Sequence, residues 1–134
     1  MTLRFVNPDS LGQPRGYSNG VVAQPGARLL FIAGQIAWDG RQRIVSQDFA
    51  DQFERALANV LEVVREAGGA PENIARLLVY VTDKKDYLAS LGEVGRRWRA
   101  LMGGHYPAMA LVEVKSLLED EAKVEIEGIA VLEP

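Results

Sequence analysis

The sequence predicts an α+β fold, a two-layer sandwich in which a mixed β-sheet carries two helices on one face. Two long segments place apolar residues at spacings of three and four, which is typical of amphipathic helices. Shorter segments rich in apolar and β-branched residues, bounded by glycine, proline and polar turns, predict strands. In chain order, these segments predict the arrangement β-β-β-α-β-α-β-β.

Three strands are predicted before the first helix. A short strand near Leu3–Val6 is followed by a loop rich in proline, glycine, asparagine and serine. Ser18–Ala23 and Leu29–Gln35 are predicted to form the arms of a hairpin, because Gln24, Pro25 and Gly26 between them favour a turn. The continuous apolar run from 29 to 32 is typical of a strand that is covered on both faces.

The first helix is predicted over Ser46–Ala67. Either Ser46 or Asp48 can cap its start, and Gly68 suits the left-handed position that follows a helix end. A strand is predicted next, over Arg76–Thr82.

The second helix is predicted over Lys85–Met102. Gly92 and Gly95 each lower its intrinsic propensity by about 1 kcal/mol relative to alanine. Glycines inside a helix often let a neighbouring backbone approach closely.

Two strands, Ala108–Val114 and Ala122–Leu132, are predicted to close the chain. Helices on one face leave the other face of the sheet open, although the strands at 29–32 and 77–81 are too apolar for a wet face. The simplest cover is a second copy of the chain, so the sequence predicts a homo-oligomer.

Composition sets limits on the function. The 134 residues predict one domain, 1–134, and the chain has no cysteine, a single histidine and a net charge of −3. These features argue against disulfides, thiolate chemistry, a metal site within one chain and nucleic-acid binding. No signal peptide or membrane span is visible. We therefore expect a cytoplasmic protein with no cofactor, no metal and no membrane partner.

Six segments follow one another in an informative order, namely YSNGVV, LLFIAGQIAWDG, QFERALANVLEVVREAGG, LLVYVTD, YPAMALVEV and VEIEGIAV. Over nearly the whole chain this succession resembles the YjgF/Rid family of reactive-intermediate deaminases. The resemblance implies a chorismate-mutase-like fold and a homotrimer with three clefts between neighbouring subunits. It also implies a small-molecule ligand, since well-known members hydrolyse enamines and imines such as 2-aminoacrylate to keto acids and ammonia.

In the family, an arginine grips the substrate carboxylate, a carboxylate positions or activates water, and backbone donors and small polar groups hold the substrate. The positions that the resemblance implies for the site are Tyr17, Ala33, Gly34, Gln35, Leu91, Pro107, Ala108, Met109 and Glu125. Glu125 is the implied catalytic carboxylate, and the others are implied to bind the substrate.

Three of these positions depart from the family pattern. Ala33 stands where the family often has serine, Leu91 where it has a polar residue, and Met109 where its P-A-R motif has arginine. Met109 either lines a more hydrophobic cleft for a neutral or apolar ligand, or fills space in a vestigial site. The candidates for a compensating cation are Arg15, Arg28, Arg43 and Lys115, each of which is otherwise a surface charge.

Other residues carry both a functional and a structural interpretation. His105, near the expected cleft, is either an acid–base group or a packing residue. Glu125 and Glu127 share one strand face with Lys123, which could pair with either carboxylate. In the segment GRRWR, Trp98 is predicted to belong to the apolar stripe of the helix, and the arginines are predicted to lie on the outer face of that helix. The segment is therefore not interpreted as a nucleic-acid motif.

Two hypotheses follow. The first is an imine or enamine hydrolase of divergent specificity, and the second is a non-catalytic ligand-binding or interaction protein on the same scaffold.

Overall fold

A computed structural model describes residues 3–134 of the chain. Its strands are β1 (Leu3–Val6), β2 (Gly20–Ala23), β3 (Arg28–Gln35), β4 (Ile74–Val81), β5 (Ala108–Glu113) and β6 (Val124–Leu132). Its α-helices are α1 (Phe49–Glu66), α2 (Lys84–Ala89) and α3 (Leu91–Met102), and short 3₁₀ turns cover Asp9–Leu11 and Pro71–Asn73.

The main sheet has four strands in the order β3-β6-β4-β5. β6 runs antiparallel to both of its neighbours, whereas β4 and β5 are parallel. A mixed sheet of this kind with its helices on one face confirms the predicted fold class. The sheet also has two distinct edges, β3 and β5, which become important for the site.

The predicted hairpin between Ser18–Ala23 and Leu29–Gln35 is wrong. The turn is present, since the Ala27 N–H donates to the Gln24 carbonyl at 3.4 Å, but β2 pairs with β1 and β3 pairs with β6. The reason lies just before β2, where the Ser18 N–H donates to the Pro107 carbonyl at 2.9 Å. This bond holds the chain at the β5 edge, on the opposite side of the sheet from β3.

The core lies between the sheet and the layer formed by α1 and α3. The apolar stripe of α1 is buried there, and Leu57, Val60, Leu61 and Val64 are fully inaccessible to solvent. Burial of one such side chain stabilises the fold by about 1.5–3 kcal/mol. Asp48 caps the helix by accepting the Asp51 N–H at 3.0 Å, and Gly68 adopts φ 87° just beyond its end, as the sequence predicts.

The predicted second helix is divided at Ser90. The Ser90 hydroxyl donates to the Asp86 carbonyl at 2.8 Å, and its φ of −116° departs from helical geometry. A serine that satisfies the carbonyl four residues before it offers the backbone an alternative to a continuous helix. The break produces α2 and α3, so three helices replace the expected two.

The sheet face opposite the helices, which we call the outer face, is open in the single chain. Phe31 and Leu29, which point to the outer face from β3, are 71% and 57% exposed. Ile32, on the helix side of the same strand, is 2% exposed. A strand covered on both faces is therefore not seen within one chain, and its cover by another copy stays a prediction. Across residues 3–134, no helix combines the length and apolarity needed to cross a membrane.

Candidate functional site

A cavity of about 260 Å³ opens between α3 and β5, and it contains two of the residues predicted for the site, Leu91 and Met109. We call it the α3–β5 cavity. Its lining residues are Gly16, Phe53, Val79, Tyr87, Leu91, Val94, Gly95, Trp98, Arg99, Tyr106, Met109 and Leu111. Apart from one arginine and two tyrosines, the lining is apolar, as expected for a small-molecule pocket.

Strand geometry explains why Met109 faces this cavity. On the parallel partner strand β4, Met109 is opposite Leu77, which is fully buried toward the helices. Side chains alternate between the faces of a sheet, so Met109 and Leu111 point to the helix side while Ala110 points to the outer face. The predicted frame residue Pro107 is buried at the start of this strand.

The loop that carries Tyr17 is fastened beside the cavity. The Ser18 hydroxyl donates to the Tyr106 carbonyl at 2.6 Å, and Ser18 also forms a parallel bridge with Ala108. Gly16, on the other side of Tyr17, lines the cavity itself. Tyr17 itself is 38% exposed and is not among the residues that line the cavity.

Aromatic rings form one wall of the α3–β5 cavity. Trp98 and Tyr106 stack almost in parallel, with 5.9 Å between ring centroids and an interplanar angle of 9°. The indole N–H of Trp98 donates to the His105 carbonyl at 3.2 Å, which fixes the indole plane. Trp98 is 5% exposed, which confirms that it belongs to the apolar helix stripe.

His105 is a packing residue. Its Nε2 is 2.7 Å from the Ile74 carbonyl, its ring meets Phe5 edge-on at 5.6 Å between centroids, and only 8% of the residue is exposed. A ring nitrogen hydrogen-bonded to a main-chain carbonyl is engaged in holding β4 to the loop before β5. This geometry favours the structural interpretation of the single histidine.

Arg99 is a cavity residue that sequence reasoning missed. It lies in GRRWR, whose arginines were expected on the outer face of the helix; Arg96 and Arg99 are exposed, whereas Arg97 is half-buried against α1. Arg97 pairs with Asp51 and Glu54 of α1, and Arg99 lines the α3–β5 cavity. The available signal was its spacing, because Arg99 is four residues beyond the cavity residue Gly95 and therefore on the same side of the helix.

A second group of predicted site residues lies on the other edge of the sheet. The register of β3 against β6 shifts between Ile32 and Gln35, so Ala33 and Gly34 form an irregularity in the edge strand. The Glu125 side chain crosses Gly34 so closely that a Cβ added to Gly34 would stand 2.5 Å from Glu125 Oε2. Bulges of this kind often re-aim side chains near functional sites.

Gln35 turns away from this pair. Its Nε2 donates to the Ala33 carbonyl at 3.2 Å, and the residue lines an open surface groove with Trp38 and Asn59. The Asn59 amide donates to the carbonyls of Ile36 and Trp38, both at 3.0 Å, and so ties the end of β3 to α1.

Glu127, the other carboxylate on this face, is engaged in a hydrogen bond. It accepts the Tyr80 hydroxyl, and that bond raises the pKa of the Tyr80 phenol. Lys123 forms no ion pair with Glu125 or Glu127 in the part of the chain that the structure describes. Glu125 therefore stands over Gly34 without a cationic partner from Lys123.

A residue that sequence reasoning overlooked, Gln52, positions the segment leading to Glu125. Gln52 is fully buried in α1, and its amide donates to the carbonyls of Ser46 and Glu121 at 2.9 and 3.0 Å. Its Oε1 accepts the Lys123 N–H at 2.8 Å, immediately before β6 begins. A polar residue on an otherwise apolar stripe was the signal that could have identified it.

The two groups of predicted site residues are not brought together within one chain. Leu91, Ala108 and Met109 lie at the β5 edge, and Ala33, Gly34 and Glu125 lie at the β3–β6 edge. Two strands stand between the edge strands, which corresponds to roughly 14 Å at the usual strand spacing. A site that uses both groups requires a second copy of the chain.

None of the four cations considered as replacements for the family arginine lines the α3–β5 cavity. Arg28 donates to the Glu133 carbonyl at 2.9 Å, and Arg43 lines a separate surface groove with Glu119 and Asp120. Arg15 is adjacent to the cavity residue Gly16. Within residues 3–134, no cluster of three or more histidine, aspartate or glutamate side chains is arranged to hold a metal ion.

Comparison with known proteins identifies the family. The family model described as Endoribonuclease L-PSP matches residues 9–132. A conserved Rid-family protein from Yersinia pestis, YyfB, has a solved structure with a TM-score of 0.88 and 35% identity, and the match covers 98% of this chain and 100% of that one.

The chain belongs to the YjgF/Rid family.

Two further Rid proteins are informative about chemistry. A 2-iminobutanoate/2-iminopropanoate deaminase from Salmonella typhimurium is 33% identical over 106 residues, covering 77% of this chain and 79% of its own. Escherichia coli TdcF, solved with bound serine, has a TM-score of 0.70 and 32% identity, with 91% and 92% of the two chains covered. The family resemblance and the chorismate-mutase-like fold predicted from the sequence are thus confirmed.

Proposed function

We propose that this Rid protein is a homotrimer that binds a small metabolite in clefts between subunits and hydrolyses its imine or enamine group. Its specificity differs from that of members that act on 2-aminoacrylate. A deaminase among its relatives supports the reaction class.

The observation that carries this proposal is the division of the site between two sheet edges. The apolar group around Met109 and the Gly34–Glu125 pair cannot meet in one chain. A neighbouring copy that sets its β3–β6 edge against the α3–β5 cavity would unite them. The exposed Leu29 and Phe31 on the outer face supply apolar surface for such an assembly.

The proposed reaction needs water and no redox partner. A 2-imino acid, R–C(=NH)–COO⁻, adds water at the imine carbon; the carbon–nitrogen bond then breaks, giving the 2-oxo acid and ammonia. Glu125 is the proposed group that orients the water, accepts its proton and returns that proton to the nitrogen that leaves as ammonia. Its position across the Gly34 backbone supports this role, because the absence of a side chain at Gly34 leaves room for the carboxylate at this edge of the sheet.

Met109 supports the change of specificity. A thioether cannot form the bidentate, charge-assisted pair that an arginine forms with a small substrate carboxylate. Ala33 and Leu91 remove two further polar groups, so the residues retained favour a larger apolar ligand.

The test is ammonia release from a panel of 2-imino acids generated in solution, with Glu125→Gln compared against the wild type. We expect Glu125→Gln to lower kcat by about 10²–10⁴-fold, the usual contribution of a positioned acid–base group. Glu127→Gln is the matched control, since it lies on the same strand face and keeps an acceptor for the Tyr80 hydroxyl. Equal rates for wild type and Glu125→Gln would refute the hydrolase.

The apolar replacements at Ala33, Leu91 and Met109 favour a second candidate, a non-catalytic binding protein on the same scaffold. Thermal-shift screening distinguishes the two candidates. A metabolite that raises the melting temperature of the wild type and of Glu125→Gln equally, and that is not consumed, would favour the binding protein.

A further inference from the structure

Arg99 is the single charged residue among those that line the α3–β5 cavity. The residue is exposed as a whole and also lines the cavity. Arginine commonly combines the two, because its apolar stem can pack while its charged head reaches water. Arginine matches a carboxylate in geometry as well as charge, because its planar head presents paired N–H donors.

The Arg99 guanidinium is also unoccupied by protein carboxylates. Arg96 pairs with Glu93, and Arg97 pairs with Glu93, Asp51 and Glu54, whereas Arg99 forms no ion pair anywhere in residues 3–134. Two of the three arginines of α3 are therefore committed to structure, and the third is available to an anion.

Gly95 makes room for this guanidinium. A Cβ added at Gly95 would lie 3.4 Å from Arg99 Nη1, so the arginine head folds back over the glycine, one turn earlier in α3. At Gly92, by contrast, an added Cβ meets nothing within 4 Å. The sequence suggested that a neighbouring backbone would approach these glycines, but within residues 3–134 Gly92 meets nothing and Gly95 meets only the Arg99 side chain.

Beyond the arginine, the cavity suits a flat or branched apolar group. The stacked Trp98 and Tyr106 offer a planar wall, and Met109 and Leu91 supply adaptable apolar surface. The volume of about 260 Å³ is several times the roughly 30 Å³ that one water occupies in the liquid, which is enough for a ring-sized group.

We propose that the α3–β5 cavity selects 2-imino and 2-oxo carboxylates with an aromatic or branched apolar side chain, and that Arg99 pairs with the carboxylate. The side chain enters the cavity along Trp98 and Met109. The proposal rests on the proposed function in that it places the imine carbon at the mouth, facing the Glu125 of a neighbouring copy.

Calorimetric titration with 3-phenylpropionate and its neutral analogue 3-phenylpropionamide tests the charge requirement without turnover. We expect the acid to bind the wild type at least tenfold more tightly than the amide. Arg99→Gln should abolish this difference, and Arg99→Lys should restore part of it, since lysine keeps the charge but loses the planar fork.

Arg96→Gln is the matched control, because it removes an arginine from the same helix that is already paired with Glu93. It should keep the tenfold preference. Discrimination that survives Arg99→Gln, or a wild type that binds acid and amide equally, would overturn the role of Arg99. Acetate binding as tightly as 3-phenylpropionate would overturn the requirement for an apolar side chain.

These outcomes are separable from those of the hydrolase test. If the acid binds through Arg99 and no imine is hydrolysed, the ligand class stands and the proposed reaction fails. If imines with small side chains are hydrolysed through Glu125 while Arg99→Gln changes neither binding nor rate, the reaction stands and this inference fails.

Discussion

At the scale of single residues, Gly34 is the position where one added atom would matter most for the proposed chemistry. The Glu125 carboxylate occupies the space where a side chain at this position would begin. Glycine is needed here because of this close approach, since Gly34 is not among the glycines with positive φ.

We predict that Gly34→Ala displaces the Glu125 carboxylate and lowers hydrolysis at least tenfold. A Cβ at 2.5 Å from Oε2 is far inside contact distance, and the exposed edge of β3 lets the glutamate swing outward. Steady-state kinetics measures the effect. Gly40→Ala is the control, because an added Cβ there meets nothing within 4 Å. Unchanged kinetics in Gly34→Ala would show that the carboxylate position is irrelevant to the reaction.

Met109 is the other informative residue at this scale. Its place on β5, opposite Leu77 and facing α3, gives it a specific environment in the cavity wall. The two alternatives for Met109 are a lining residue of an apolar cleft and a space-filling residue of a vestigial site. Arg99, which forms no ion pair within residues 3–134, favours the first alternative.

At the scale of elements, α1 and α3 are joined by Arg97. Its guanidinium bonds to Asp51, and its Nε donates to Glu93 Oε1 at 3.1 Å. The Arg97 hydrogen bonds are the main cause that lowers the pKa of Asp51 and of Glu93 below the usual values for these carboxyl groups. Ion pairs therefore help to hold α1 and α3 together in the helix layer, which forms one wall of the cavity.

This linkage predicts a pH dependence of stability. Carboxyl groups with a lowered pKa in the folded state contribute stability that is present above their unfolded pKa, near 4, and is lost as the pH falls through the folded value. We predict that Arg97→Gln lowers the melting temperature at pH 7 and that its difference from wild type closes below about pH 4.

Thermal unfolding followed by circular dichroism between pH 7 and pH 2 measures this difference. Arg65→Gln, at an exposed position in the last turn of α1, should shift the melting temperature little across the range. A wild-type advantage over Arg97→Gln that is as large at pH 2 as at pH 7 would show that packing, and not charge, joins the helices.

At the scale of the whole molecule, the open outer face is the dominant feature. Leu29 and Phe31 are exposed on β3, and Val112 is exposed on β5 at the opposite edge of the main sheet. Large exposed apolar patches on soluble proteins often mark interaction surfaces. Burial of one phenylalanine in an interface is worth about 1.5–3 kcal/mol.

We predict that Phe31→Glu dissociates the proposed trimer while leaving the chain folded. Light scattering coupled to size-exclusion chromatography measures the mass, and circular dichroism checks the fold. Leu118→Glu is the control, because Leu118 is 94% exposed on the acidic loop away from the sheet and its replacement should leave the assembly intact. A Phe31→Glu protein that still elutes as a trimer would place the interface elsewhere.

The sequence by itself determined the family and most of the elements, although not the division of the second helix at Ser90. The stripe of α1, its Asp48 cap and Gly68 terminus, and the alternation of β6 are local patterns, and each was confirmed because neighbouring residues decide it. The departure at Met109 was equally readable, since it depends on a short motif and not on distant contacts.

Only the tertiary structure decided which strands pair and which residues share a cavity. The expected hairpin failed because Ser18 bonds to Pro107, a contact across 89 positions that no local pattern encodes. For the same reason, Arg99 was missed as a cavity residue, and the predicted site proved to be divided between opposite edges of the sheet. Local patterns specify helices and strands, whereas long-range hydrogen bonds and packing determine what those elements place side by side.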